Sequence, residues 1–214
     1  MKWNFKNELA RKFVHLLSIL ILVVYYFVSD FFSPKIALII LVFVLIFFLE
    51  LEYLRIEISK EIPILKHLWK YIKRSKEKDK LGGEVFFLIG AILVLAIFDL
   101  RVAMVAILMT TFGDMAAALI GKRFGKHWLK YLKQRAWEGI LAEFFVDVLI
   151  GIIIFFFITS SPINSLAIWI IIFVMALTAT IVETLIYKMD DNLLIPIFAG
   201  FNGQIVLLIL NSFV

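Results

Sequence analysis

Apolar residues in this chain fall into long unbroken runs, separated by short polar segments, and strict two-residue alternation is absent. The runs reach from the N-terminal segment to about Val28, from Ser33-Pro34 to about Leu49, and from Glu84 to near Phe98; then from Val102 to about Ile120, Trp137 to Ile158, Ile163 to about Tyr187, and from Pro196 to Asn211. A helix rises 1.5 Å per residue, so about 20 apolar residues cross a hydrocarbon core of ~30 Å. The pattern predicts an all-α polytopic membrane protein with about seven transmembrane helices, forming a single domain over residues 1–214. Between the second and third runs, residues 55–80 break this pattern. There Ile62, Leu65, Leu68, Trp69 and Ile72 recur every three or four positions behind Pro63, the spacing of an amphipathic helix lying in the interface. Asp99-Leu100-Arg101, Ser160-Ser161-Pro162 and Lys188–Asn192 read as turns, and no internal repeat is evident.

Composition agrees with the runs: 63% of residues are hydrophobic and 18% charged, with a mean hydropathy of +1.01. Charge adds an orientation. Of the 22 Lys and Arg, the N-terminal segment carries four, residues 55–80 nine, the segment from Lys122 to Arg135 six and Lys188 one, against Lys35 and Arg101 on the other side. By the positive-inside rule the N-terminus and those loops are expected in the cytoplasm and the C-terminus opposite. The 55–80 helix is then expected to meet anionic headgroups. With no Cys, the chain has no disulfide, thiolate nucleophile or Cys-bound zinc, and three His make a His-only metal site improbable. A metal held here would be a hard cation on carboxylates, which points to magnesium.

Ionisable residues inside apolar runs are costly and mark function by default. They gather in Gly113–Asp147: Asp114 ends one run, a basic loop with Gly121, Lys122, Gly125 and Lys126 follows, and Glu138, Glu143 and Asp147 enter the next. Basic residues, glycines and carboxylates together suit a nucleotide polyphosphate and its metal. Taken alone, Gly121 and Gly125 fit close helix packing equally, and the spacing is not that of a phosphate loop. Near the N-terminus, Glu8, Arg11, Lys12 and His15 share one helical face. Most acids lie towards the basic side, which suits an enzyme taking a charged substrate from the cytosol and a lipid from the bilayer. The alternative of another class is an ion-coupled transporter, with Glu143 and Asp147 at i and i+4 as its relay.

Four motifs carry a resemblance: Glu8-x-x-Arg11-Lys12-x-x-His15; Gly113-Asp114-x-x-Ala117 with Gly121 and Gly125; Arg135-x-x-Glu138-Gly139; and Glu183 followed by Asp190-Asp191-Asn192 and Pro196. In their order along nearly the whole chain they resemble the CTP-dependent polyprenol and dolichol kinases, phytol kinases and CTP-dependent diacylglycerol kinases, a family related to phosphatidate cytidylyltransferases. The third motif departs from the family's hydroxyl-bearing pattern, with Ala136 and Ile140 where hydroxyl residues are common. The resemblance implies transfer of the γ-phosphoryl group of CTP to the hydroxyl of an isoprenoid lipid alcohol. It implies Arg11, Lys12, Gly121, Lys122, Gly125, Lys126, Arg135, Gly139 and Asn192 at the nucleotide, and Asp114, Glu138, Asp190 and Asp191 on magnesium. Asp114 is the first choice for accepting the alcohol's proton and Glu183 the second, with Glu8 and His15 accessory. Cytidylyl transfer to a lipid phosphate needs the same parts and stays open. No nucleic-acid partner is expected, and an oligomer is compatible with the sequence. Asp147, about twelve residues and ~18 Å beyond Arg135 along a helix, is expected to lie too deep for the phosphates.

Overall fold

The computed structural model describes residues 19–58, 80–129, 135–158, 165–186 and 189–212. Glu8, Arg11, Lys12, His15, nearly all of the 55–80 segment, the Ser160–Pro162 turn and Lys188 lie outside them. The described helices are α1 (Ile19–Phe31), α2 (Pro34–Ile58), α3 (Gly83–Ile97), α4 (Leu100–Phe124), α5 (Trp137–Ile152), α6 (Ser165–Leu185) and α7 (Asp191–Asn211). α5 continues through a π-helical stretch, Ile153–Ile158. Five of these, α2, α4, α5 with its extension, α6 and α7, are long and apolar enough to cross a membrane. The protein is an all-α polytopic membrane protein. α1 is described from Ile19 only, and α3 matches the run expected from Glu84 to near Phe98.

Several boundaries differ from those the apolar runs predict. α2 continues past Leu49 to Ile58, because Glu52 and Arg55 are buried and bonded to each other rather than exposed at a helix end. α7 begins at Asp191, five residues before Pro196, so this proline lies inside the helix. Asp190 supplies the N-cap, its side chain accepting from the Asn192 amide, while Pro196, the sixth helical residue, forgoes the bond that an N–H there would make to the Asn192 carbonyl. The strands β1 (Trp128–Leu129) and β2 (Arg135–Ala136) were not foreseen; they pair antiparallel, Trp128 opposite Ala136 and Leu129 opposite Arg135.

The chain divides into two units, residues 1–92 and 93–214. In the first, α1 packs on α2, and Arg55 fixes the end of α2. Its guanidinium donates twice to Glu52, at 3.0 and 2.8 Å, and also to the Lys80 carbonyl, while Glu52 Oε2 accepts from the Gly82 amide at 2.8 Å. In the second unit α4 packs against α5 and α7, α5 against α6, and α6 against α7. Val105, Met109, Ile154, Ile171, Met175 and Ile195 meet in its core. Large apolar side chains such as Phe145, Leu149, Phe157, Phe173 and Leu208 point outward, as lipid-facing positions should when the solvent is hydrocarbon. Asp99 caps α4 and its carboxylate takes two bonds from the Arg101 guanidinium, at 2.8 and 2.9 Å. Burial alone would push the Asp99 carboxyl up, but the Arg101 bonds outweigh it and hold it below its ordinary value.

Candidate functional site

The site begins where α4 ends. Gly125 terminates that helix with its N–H on the Gly121 carbonyl at 3.1 Å, and a side chain there would strike that carbonyl and the Ala136 methyl. The chain then turns into β1. Glu138, in the first turn of α5, reaches back and ties this turn down. Its carboxylate accepts from the Lys126 and His127 amides at 3.1 and 3.3 Å and contacts His127 Nδ1 at 2.9 Å. Trp128 Nε1 donates to the Gly125 carbonyl at 3.0 Å, and the Trp137 amide to the His127 carbonyl at 3.0 Å. The strand pair thus has a fixed start and a fixed end, and β2 delivers Arg135 at a defined place.

Arg135 Nη1 meets Glu183 Oε1 of α6 at 2.6 Å. Glu183 is 1% exposed, so this is an ion pair with one buried partner. Burial pulls the guanidinium down, yet Glu183, with Glu143 and Asp114 also within electrostatic range, holds it above its ordinary value. Behind the pair stand two more acids of α5. Glu143 is 1% and Asp147 0% exposed. Glu143 is within electrostatic range of Glu183, Asp147, Arg135 and Asp114, and Asp147 of Glu183. Asp147 lies flat against α4 where Gly113 has no side chain: a Cβ built there would stand 2.5 Å from Asp147 Oδ1.

The structure therefore brings together Asp114, Arg135 and Glu183 from the predicted set and adds Glu143 and Asp147. Other predicted residues stand elsewhere. Gly121 and Gly139 face each other across the α4–α5 crossing, where a Cβ on Gly139 would come within 2.7 Å of the Ala117 carbonyl and 3.0 Å of Gly121 Cα. That is the close-packing use of these glycines. Lys122 and Lys126 are exposed near the end of α4. Asp190 and Asp191 both accept from the Asn192 amide at 3.1 Å, and Asn192 Nδ2 returns a bond to Asp190 at 2.9 Å. Among the described residues no three His, Asp or Glu side chains stand close enough to hold a metal ion together. Asp114, Glu138, Asp190 and Asp191 accordingly do not form a ready-made magnesium cage, since Glu138 is committed to the loop and the two aspartates to the α7 cap.

Glu143 and Asp147 were legible as buried acids on one helical face, but nothing in the spacing says that Glu183 reaches them from α6. The residue count along α5 set Asp147 apart from Arg135; in the structure Glu183 stands in contact with one and within electrostatic range of the other.

Comparison with known proteins bears out the resemblance carried by the four motifs. The chain is 26% identical over 207 residues to phytol kinase 1, chloroplastic, of Arabidopsis thaliana, covering 90% of this chain and 64% of that protein. Over 136 residues it is 26% identical to CTP-dependent diacylglycerol kinase 1 of Schizosaccharomyces pombe, covering 60% of this chain and 62% of that protein. A probable phytol kinase, chloroplastic, of Triticum aestivum matches at 25% over 138 residues, 58% of this chain and 44% of that protein. No family model and no solved structure matches the chain. It spans less than two thirds of the length of each of these relatives, and what it is similar to is a set of named lipid kinases.

Proposed function

We propose that this protein is a membrane-embedded lipid kinase that transfers the γ-phosphoryl group of CTP to the hydroxyl of an isoprenoid lipid alcohol. The observation that carries the reading is the convergence of Arg135, Glu183, Asp114 and Glu143 from four elements in the loop-side half of the second unit. A guanidinium has five N–H donors in a fixed fork, so Arg135 can hold Glu183 and still present donors to a phosphate. Its anchor on a buried carboxylate fixes the fork before substrate arrives, and phosphoryl transfer is mostly positioning and charge stabilisation. Lys122 and Lys126, exposed near the end of α4, add positive charge for a polyphosphate; Arg11 and Lys12 belong to the same proposal through the sequence motif. The named relatives support CTP as donor and a lipid alcohol as acceptor. Any magnesium would come with the nucleotide, which supplies most of its ligands in such sites.

The purified protein, given labelled CTP or ATP with a polyprenol, phytol, diacylglycerol or phosphatidate, should release CDP and form an alcohol phosphate. Pyrophosphate release with phosphatidate would make it a cytidylyltransferase. A second reading, ion-coupled transport, is favoured by one observation, the buried pair Glu143 and Asp147 at i and i+4.

A further inference from the structure

Two carboxyl groups and one hydroxyl are buried on α5 and α6 with hydrogen-bonding capacity left over. Neither Oδ1 nor Oδ2 of Asp147 has a hydrogen-bond partner, Glu143 has none at Oε2, and Thr184 has none at Oγ1. Such groups cost stability unless something bonds them. Packing does not account for them: Gly113 makes room for the Asp147 carboxyl, but the helical backbone there has no free N–H to offer it. The arrangement is graded. Arg135 faces Glu183, Glu143 lies within electrostatic range of both, and Asp147, 0% exposed, lies within range of Glu183 and Glu143. The outer end suits an anion. The inner end offers buried carboxyl oxygens to an O–H donor carried on an apolar molecule.

We propose that Asp147, supported by Glu143, seats the hydroxyl of the lipid substrate. This rests on the lipid-kinase reading and deepens it. When the alcohol O–H donates to Asp147, the lone pairs of its oxygen stay free to face a phosphoryl group held on the Arg135 side. The seat also selects a class. A diacylglycerol brings two ester carbonyls that need donors, and of the described buried hydroxyls those of Thr110, Thr111 and Thr180 already donate to backbone carbonyls. A monohydroxy alcohol with an otherwise apolar chain leaves no such group unsatisfied. The residue count that sets Asp147 too deep for the phosphates still leaves it to the alcohol in this placement.

The test uses the full chain in lipid nanodiscs with two readouts. One is photo-crosslinking of a photoreactive phytol analogue without nucleotide. The other is steady-state transfer from CTP, with phytol, polyprenol and diacylglycerol compared. For Asp147→Asn, crosslinking should fall and the alcohol KM rise by about 10-fold or more, with the CTP KM, the magnesium half-saturation and the melting temperature essentially unchanged. Glu143→Gln should move the same quantities in the same direction, and keeps the test open if the first variant does not fold. A shifted magnesium half-saturation would make Asp147 a metal ligand and overturn the seat. So would a shifted CTP KM, unchanged alcohol binding, or diacylglycerol used as well as phytol. If the wild type binds alcohol and Asp147→Asn does not, yet neither transfers phosphate, the seat stands and the kinase reading falls.

Discussion

A single guanidinium serves two masters in this site, and the two can be separated. Arg135 neutralises a carboxylate that is 1% exposed, and in the proposed reaction it also binds phosphate. Removing it leaves Glu183 buried without its partner, a loss of about 3–5 kcal/mol for a buried pair and less here because Arg135 is partly exposed. Arg135→Gln should therefore lower the melting temperature as well as activity. Adding Glu183→Gln removes the stranded charge, so the double variant should recover much of the stability. If Arg135 only props up Glu183, the double variant regains turnover too. If it touches the nucleotide, turnover stays at least about 100-fold down, as for lost charge-assisted bonds to a phosphate. Thermal unfolding in detergent and CTP kinetics on the same samples decide it. Both residues were readable from sequence because each lies in a recognisable local motif. Glu143 was assigned only to the relay of the transporter alternative, since its link to Glu183 comes from α6, about forty residues on, and spacing along one helix carries no such information.

At the scale of elements, the sequence fits helices better than it fits the joints between them. Apolar runs of helical length identify α4, α5 and α6 within a few residues, because burial in lipid and in the bundle imposes the same apolar requirement. The four-residue strand pair was missed: too short to show alternation, it is held by Glu138, the Trp128 indole and the Trp137 amide rather than by its own pattern. Glu138 consequently looks like a metal ligand in sequence and behaves as the clasp of a loop in the structure. The π-helical Ile153–Ile158 is hidden in an apolar run that would serve equally as α-helix. The joint between α4 and α5 gives a prediction. Gly139→Val places a branched side chain where the Ala117 carbonyl and Gly121 Cα stand 2.7 and 3.0 Å from a Cβ. Those are backbone atoms and cannot swing aside, so the helices must separate. A melting temperature down by several degrees, consistent with an overpacking cost of ~1–3 kcal/mol, and strongly reduced activity are expected; a fully stable, fully active variant would show that the two helices do not approach this closely.

For the whole molecule, sidedness bears directly on what the protein does. The Lys and Arg count sets the expected orientation. Since the chain has no Cys, one introduced at exposed Lys126, just past α4, or at exposed Lys35, at the start of α2, is unique. In intact cells Lys126→Cys should react only with a reagent that crosses the membrane, and Lys35→Cys also with one that does not. The same two variants orient reconstituted vesicles. In the kinase reading, CTP added to the side where Lys126→Cys is reactive supports alcohol phosphorylation, and CTP on the other side gives nothing, because a hydrated polyanion cannot traverse the apolar half of the bundle. A transporter makes the contrary demand: polar access from both faces and ion movement across the vesicle wall that stops in Asp147→Asn. Ion flux without phosphoryl transfer, persisting in Arg135→Gln but lost in Asp147→Asn, would replace the kinase with a carrier. Phosphoryl transfer confined to the Lys126 side, with no flux, leaves the buried acids to the substrate's hydroxyl.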